Sequence, residues 1–113
     1  MSKITTHVLD TSAGRPAAAV SILLEQQTPG GWREAGQGAT NDDGRCLDLL
    51  AEAETLEKGA YRLTFGSGPY FAARGVATFF PEVSIVFEVS HPEEHHHVPL
   101  LLSPFGYSTY RGS

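Results

Sequence analysis

Short segments of alternating apolar and polar residues, each ended by a turn signal, limit most strongly what this chain can fold into. Such segments are typical of β-strands, and their number predicts an all-β protein. The predicted strands are residues 4–10, 18–25, 32–37, 45–50, 61–65, 83–89, 95–103 and 106–111. Two packed sheets are the usual way to bury about eight short strands.

The segments between these strands predict turns and one helix. Residues 41–44 (NDDG) form the strongest turn signal, because Asx side chains bond to nearby backbone and glycine accepts a positive φ. Residues 69–76 begin with proline and predict the only helix. Residues 51–58 have high helix propensity, but their apolar face is too thin to dock, so we expect a loop. The length of 113 residues suits a single domain, residues 1–113.

Composition narrows the classes of partner. The chain has 8 Lys and Arg against 13 Asp and Glu, with no basic run, which argues against a nucleic-acid binder. Cys46 is the only cysteine, so no internal disulfide can form and a four-thiolate zinc site is excluded. The chain begins without the apolar run of a signal peptide, and its apolar runs are too short to span a membrane. These observations predict a cytoplasmic protein, and they leave open a neutral or mildly anionic small molecule as the partner.

The histidines are the first candidates for chemistry, and strand alternation sorts them by face. His95 and His97 share one face of their strand, His96 points to the other, and His7 shares a face with Thr5. The simplest interpretation of His91, His95 and His96 is that they are surface histidines beside an acidic turn. A metal site is an alternative, because a His-x-His strand can place two nitrogens on one ion, but no further ligand has the spacing to complete a zinc set. An acid–base site is the third interpretation, because histidine titrates near neutral pH.

Arg45 and the end of the chain are further candidates. Arg45 follows the tight turn at 41–44 and opens a strand, where most arginines are simply solvated. Residues 107–113 (YSTYRGS) carry aromatic and hydroxyl groups bracketed by glycine. A frayed terminus does not require this pattern, so the segment is a candidate for an ordered role.

Several segments together resemble the 5-hydroxyisourate hydrolases, enzymes related to transthyretin. The matching segments are 6–18 (THVLDTSAGRPAA), 40–45 (TNDDGR), 70–71 (YF), 79–82 (FFPE) and 95–113 (HHHVPLLLSPFGYSTYRGS). The closing YRGS is highly specific and separates the hydrolases from transthyretin, the hormone carrier of the same fold. The chain departs from the family pattern where His96 replaces the usual tyrosine of a His-Tyr-His motif and where Phe105 replaces a common tyrosine.

The resemblance implies a fold, an assembly and a site. The implied fold is a transthyretin-like β-sandwich of two four-stranded sheets with one short helix. The implied assembly is a homotetramer whose active sites lie in a channel between dimers. The family's catalytic residues fall on His7, Arg45 and His97, and its closing motif falls on Tyr110, Arg111, Gly112 and Ser113, which we expect to bind substrate.

The resemblance also implies the reaction, hydrolysis of 5-hydroxyisourate to 2-oxo-4-hydroxy-4-carboxy-5-ureidoimidazoline in urate catabolism. We expect the histidines to orient and deprotonate water and Arg45 to hold substrate oxygens, with no metal and no cofactor. The alternative is a small-ligand carrier of the transthyretin type. A carrier needs an apolar channel, whereas His and Arg would line this one, which favours the enzyme.

Overall fold

The computed structural model describes residues 3–113, which form nine strands and one short helix. The elements are β1 (Ile4–Asp10), β2 (Arg15–Pro16), β3 (Ser21–Thr28), β4 (Gly31–Ala39), β5 (Arg45–Cys46), β6 (Gly59–Phe65), α1 (Ser67–Ala72), β7 (Val83–Val89), β8 (His96–Ser103) and β9 (Gly106–Thr109). Met1 and Ser2, which the predicted domain 1–113 includes, lie outside the described residues. The prediction of an all-β protein with one short helix is confirmed.

The strands form two sheets. The first sheet has the order β2-β1-β8-β9, and β5 also pairs with β1. The two short strands share one edge of β1, because β2 pairs with Leu9 and Asp10 while β5 pairs with Thr6 and His7. The first sheet is therefore four strands wide, like the second sheet, whose order is β4-β3-β6-β7. The predicted sandwich of two sheets is confirmed, and its first sheet has five strands where four were predicted.

The two central strands of the first sheet, β1 and β8, run parallel and come from opposite ends of the sequence. Strand β1 runs beside β8 in continuous register, from Ile4 opposite His96 to Asp10 opposite Leu102. Since paired residues of neighbouring strands point to the same face, the even-numbered residues of both strands face the second sheet. The odd-numbered residues, including Thr5, His7 and His97, face away from it.

The core lies between the two sheets. Its fully buried side chains come from both sheets and include Ile4, Val8, Leu24, Leu63, Phe65, Leu100 and Leu102. Burying a side chain of this kind stabilises a fold by about 1.5–3 kcal/mol. The packing of both sheets on this one cluster fixes the position of β1 and β8.

Six of the eight predicted strands have different bounds in the structure, and two of these differences have a clear local cause. The segment predicted at 18–25 begins only at Ser21, because Ala19 has a positive φ of 61°, which a continuing strand does not allow. The segment predicted at 45–50 ends at Cys46, because the chain then crosses to the second sheet. There Leu49 is fully buried and the Ala51 N–H donates to the Ala35 carbonyl.

The helix α1 spans Ser67–Ala72 rather than the predicted 69–76, and it holds the far end of β1. The Tyr70 hydroxyl donates to Asp10 Oδ2 at 2.7 Å, and Ser12 Oγ donates to the other carboxylate oxygen at 2.6 Å. Burial opposes ionisation of Asp10, but these bonds outweigh it and lower its pKa. These hydrogen bonds fix the end of β1 that follows His7.

No helix within residues 3–113 is long and apolar enough to cross a membrane.

Candidate active site

The outer face of the first sheet gathers three of the predicted site residues. His7 of β1 lies directly opposite Arg45 of β5, and Thr5, two residues earlier, lies opposite His97 of β8. Because neighbouring strands are 4.7–4.9 Å apart and residues i and i+2 about 6.6 Å apart, the Cα atoms of His7 and His97 are separated by roughly 8 Å. We call this surface, formed by Thr5, His7, Arg45 and His97, the histidine face.

The tight turn at 41–44 orients His7. Asn41 Oδ1 accepts hydrogen bonds from the N–H groups of Asp43 and Arg45, and Gly44 supplies the positive φ of 75°. The Asp43 carbonyl is thereby placed 2.9 Å from His7 Nε2. A carbonyl can only accept, so Nε2 carries a proton and donates it. This contact leaves Nδ1 of the neutral His7 ring as the nitrogen able to take a proton.

The same turn places Arg45 beside His7. A side chain on Gly44 would meet the Val8 carbonyl at 2.4 Å, so glycine is needed for the turn to pack against β1. The Arg45 side chain is exposed, and its guanidinium makes no ion pair within residues 3–113. It borders a cavity of about 370 Å³ with Asn41, Cys46 and Asp48. Its hydrogen-bond donors are therefore available to a ligand.

His97 is half-buried, and its two ring nitrogens differ. Nδ1 lies 2.8 Å from Thr5 Oγ1, which leaves Nε2 for other partners. Burial lowers the pKa of His97, and electrostatic repulsion from His95 just before β8, from Arg45 of β5 and from His7 of β1 lowers it further. His97 is consequently held as a neutral imidazole at neutral pH, the form that accepts a proton.

The end of the chain passes directly over His97. The Gly112 N–H donates to the His97 carbonyl at 2.9 Å. A side chain at Gly112 would lie 2.6 Å from His97 Cδ2 and 3.1 Å from Pro99 Cγ, so only glycine allows this approach. Gly112 of the predicted closing motif is therefore brought to the site.

The other three residues of the closing motif are not brought onto the histidine face. Arg111 Nη2 lies 3.3 Å from both Glu94 Oε1 and the His95 carbonyl, beside the turn that precedes β8. Tyr110 and Ser113 are exposed. Tyr110 and Arg111 instead line a cavity of about 300 Å³ with His96, His97 and residues of β7. The ion pair of Arg111 is half exposed and contributes no more than about 1 kcal/mol, so it can be exchanged for a ligand.

The remaining histidines have three different environments. His91 is exposed, as the surface interpretation predicts. His96 points into the sandwich, as strand alternation predicts, but it is only 4% exposed, so the surface interpretation of His96 is wrong. Its Nδ1 has no hydrogen-bond partner among the described residues, and burial lowers its pKa. His95 is exposed, yet its Nε2 lies 2.9 Å from Thr5 Oγ1.

The sequence pattern does not reveal two groups that contact the catalytic candidates. Thr5 binds two histidines about ninety residues away, His97 of β8 and His95 just before it, and the Asp43 carbonyl binds His7. Strand alternation already placed Thr5 on the face of His7. What it lacked was the pairing of β1 with β8, which no local pattern encodes. Within residues 3–113, no three His, Cys, Asp or Glu side chains are grouped to hold a metal ion.

Comparisons with known proteins show the family of the chain. A family model described as the HIUase/Transthyretin family matches residues 4–112. The 5-hydroxyisourate hydrolase of Salmonella dublin is 46% identical over 110 residues, which cover 97% of this chain and 80% of that protein. The structure of Klebsiella pneumoniae 5-hydroxyisourate hydrolase matches with a TM-score of 0.82 and 36% identity, covering 97% of this chain and 98% of that one.

A carrier of the same fold is also similar. Sea bream transthyretin, solved in complex with thyroxine, matches with a TM-score of 0.90 and 32% identity, over 98% of this chain and 95% of that one. The fold alone therefore does not separate enzyme from carrier. The extent of the family match and the identity to its members together show that the chain belongs to the HIUase/transthyretin family.

Proposed function

We propose that this protein is a 5-hydroxyisourate hydrolase, a cyclic amide hydrolase of urate breakdown, acting as one domain. The proposal rests on the histidine face, where two oriented imidazoles lie on neighbouring strands beside a guanidinium that has no ion pair among residues 3–113. Hydrolysis of an amide requires an activated water, stabilisation of the negative charge that develops on the carbonyl oxygen, and a proton for the departing nitrogen. The three side chains match these three requirements.

In the proposed mechanism, a water molecule lies between His7 Nδ1 and His97 Nε2. One imidazole takes a proton from the water while the oxygen adds to the ring carbonyl of the substrate. Arg45 donates two hydrogen bonds to the oxygen that becomes negatively charged, and it holds the substrate in register. The addition intermediate then collapses, the carbon–nitrogen bond breaks, and the imidazolium returns its proton to the nitrogen. Arg111, whose ion pair with Glu94 can be exchanged for a ligand, and Ser113 are expected to contact the substrate from outside the histidine face. Neither a metal nor a cofactor takes part in the proposed mechanism.

The proposed assembly is a homotetramer in the cytoplasm, with each site closed by a facing subunit. The histidine face is open in the single chain, and large aromatic side chains are exposed, with Phe79 at 72%, Phe105 at 73% and Tyr110 at 59%. Surfaces of this kind commonly mark contacts between subunits. We expect light scattering to give the mass of four chains, and a monomeric mass would contradict the assembly. The single, buried Cys46 suits a reducing compartment.

The activity itself is the first prediction. When urate oxidase generates 5-hydroxyisourate, the purified protein is expected to accelerate its ultraviolet decay far above the spontaneous rate. Exhaustive chelation is expected to leave this rate unchanged, because the mechanism uses only side chains of the chain. Decay curves that are identical with and without folded protein, combined with tight binding of thyroxine, would favour the carrier instead.

The pH dependence of the reaction is the second prediction. The neutral form of His97 takes the proton, so activity is lost as pH falls through the pKa of His97. Because burial and electrostatic repulsion from His95, Arg45 and His7 lower this pKa, the acid limb of kcat/KM is expected below pH 6.5. Arg45→Gln removes one positive charge and is expected to move the limb to higher pH, although the rate itself falls. A wild-type limb at or above pH 6.5 would contradict the assignment of His97 as the base.

A further inference from the structure

A buried threonine connects two histidines on the histidine face. Thr5 Oγ1 lies 2.8 Å from His97 Nδ1 and 2.9 Å from His95 Nε2, and Thr5 is only 1% exposed. The two imidazole rings are nearly parallel, with an interplanar angle of 23° and centroids 6.2 Å apart. His95 is exposed whereas His97 is half-buried, so the three groups form a hydrogen-bonded chain that leads from the site to the surface.

The number of protons in this chain restricts its states. Thr5 has one hydroxyl proton, and the two histidine nitrogens are the partners of its oxygen among the described residues. A buried hydroxyl that donates to nothing costs about 1–3 kcal/mol, so the proton points to one of the two nitrogens. The other imidazole must then donate its own N–H to the threonine oxygen. The tautomers of His95 and His97 are therefore coupled through Thr5.

We infer that Thr5 and His95 form a proton relay that serves His97, with Thr5 as its positioning residue. The inference rests on the proposed function for the reaction that uses the relay. In one state, His97 Nδ1–H donates to Thr5, Thr5 donates to His95, and His97 Nε2 has a free lone pair. In the other state, His95 Nε2–H donates to Thr5, Thr5 donates to His97 Nδ1, and His97 Nε2 carries a proton. The first state is a base toward the substrate, and the second is an acid.

The relay conserves protons in each half of the reaction. When water gives a proton to His97 Nε2, His97 Nδ1–H passes to Thr5 Oγ1 and the Thr5 hydroxyl proton passes to His95 Nε2. His97 is neutral again, and His95 releases its Nδ1 proton to solvent. When His97 Nε2 then protonates the departing nitrogen, the protons move back along the chain and His95 Nδ1 takes one from solvent. One proton leaves and one enters for each bond hydrolysed.

The charges around His97 favour transfer along this chain. His7 on β1 and Arg45 on β5 face the His97 ring, so a positive charge held there is disfavoured. His95 lies at the exposed end of the chain, where water stabilises the charged form. If the Thr5 hydroxyl had only a structural role, one backbone carbonyl would satisfy its single proton. Its two imidazole partners are therefore more than such a role requires.

The test compares variants that keep or remove each link. Thr5→Val keeps the shape of the side chain without its hydroxyl, and Thr5→Ser keeps the hydroxyl. His95→Gln replaces the exposed end of the relay, and His91→Gln is its matched control at an exposed histidine outside the relay. We expect Thr5→Val and His95→Gln to lower kcat about 10-fold or more with little change in KM, while Thr5→Ser and His91→Gln stay within about threefold. His95 lies at the surface, so its variant tests the relay even if Thr5→Val fails to fold.

Nitrogen NMR of ¹⁵N-histidine-labelled protein without substrate provides a readout independent of turnover. We expect His95 and His97 to populate complementary tautomers in the wild type and to titrate independently in Thr5→Val. Unchanged kcat in both Thr5→Val and His95→Gln, or spectra in which both rings donate to Thr5, would overturn the relay. If the wild type does not hydrolyse 5-hydroxyisourate, the proposed function fails. The NMR then decides the coupling alone, and independent titration in the wild type overturns it.

Discussion

Replacing His97 with alanine is expected to lower kcat by about 10²-fold or more, the usual contribution of a general acid–base group. The variant loses the imidazole ring that Thr5 holds through Nδ1 and that Gly112 packs against. His7→Ala is expected to have an effect of similar size, because the Asp43 carbonyl orients His7 toward the same water. Stopped-flow measurement of the ultraviolet decay gives kcat and KM for each variant.

The double variant tests whether the two histidines serve one water. If they do, His7→Ala and His97→Ala together should cost much less than the product of the single effects, because residues that act as a unit are not additive. His91→Ala is the control, since His91 is an exposed histidine outside the site. His96→Ala is expected to have a mild effect on the rate, although its burial predicts a loss of stability. Full additivity of His7 and His97 would contradict the shared role.

Deleting residues 110–113 is expected to nearly abolish activity while the fold persists. Tyr110 and Arg111 are largely exposed, so the deletion removes little buried area, and at about 25 cal/mol per Å² it costs a few kcal/mol at most. The effect on the site is larger. Gly112 lies against the His97 ring, and misplacing a catalytic group by about 1 Å can cost on the order of 10²-fold in rate. Turnover, melting temperature and solution mass of the deleted chain measure these effects separately.

Two further chains sharpen this test. Gly112→Ala places one carbon atom 2.6 Å from His97 Cδ2 and should reproduce much of the catalytic loss without removing any charge. A chain extended beyond Ser113 keeps every residue of the closing motif and tests whether added residues displace the motif from His97. If the deletion keeps nearly full turnover, the closing motif is only structural. If the deleted chain falls to monomers, the motif belongs to a subunit interface.

The sequence correctly predicted the bounds of strands in which apolar and polar residues alternate along the whole strand. The predicted bounds were wrong where contacts with distant residues end a strand. Residues 4–10 and 83–89 have the predicted bounds, because their alternating residues pack against the core throughout. The run at 18–25 looks equally apolar, but Ala19 turns out of the strand to donate its N–H to the Thr40 carbonyl. Residues 47–50 are strand-like in composition, but Leu49 fills the core instead of extending β5.

In the candidate site too, local sequence patterns predicted which face a side chain lies on, but not its burial or its partners from distant strands. Alternation placed His96 on the opposite face from His97, yet only the second sheet makes that face a buried interior. The resemblance supplied His7, Arg45 and His97, and it gave no role to Thr5, whose partners depend on the register between β1 and β8. His95 looked like a surface histidine because its exposure is real and its contact with Thr5 is not local.

The parallel pairing of β1 with β8 also governs the order in which the molecule is assembled during synthesis. The second sheet uses only a contiguous stretch, residues 21–89, whereas β1 must wait for residues 96–102. Contacts this distant in sequence slow folding, and translation adds only about 5–20 residues per second. Until residues 96–102 have been synthesised, β1 therefore carries an unpaired edge that can pair with other chains. A chain that stops before residue 96 keeps His7 and Arg45 but lacks His97, and its exposed strand is the natural point for recognition by a chaperone or protease.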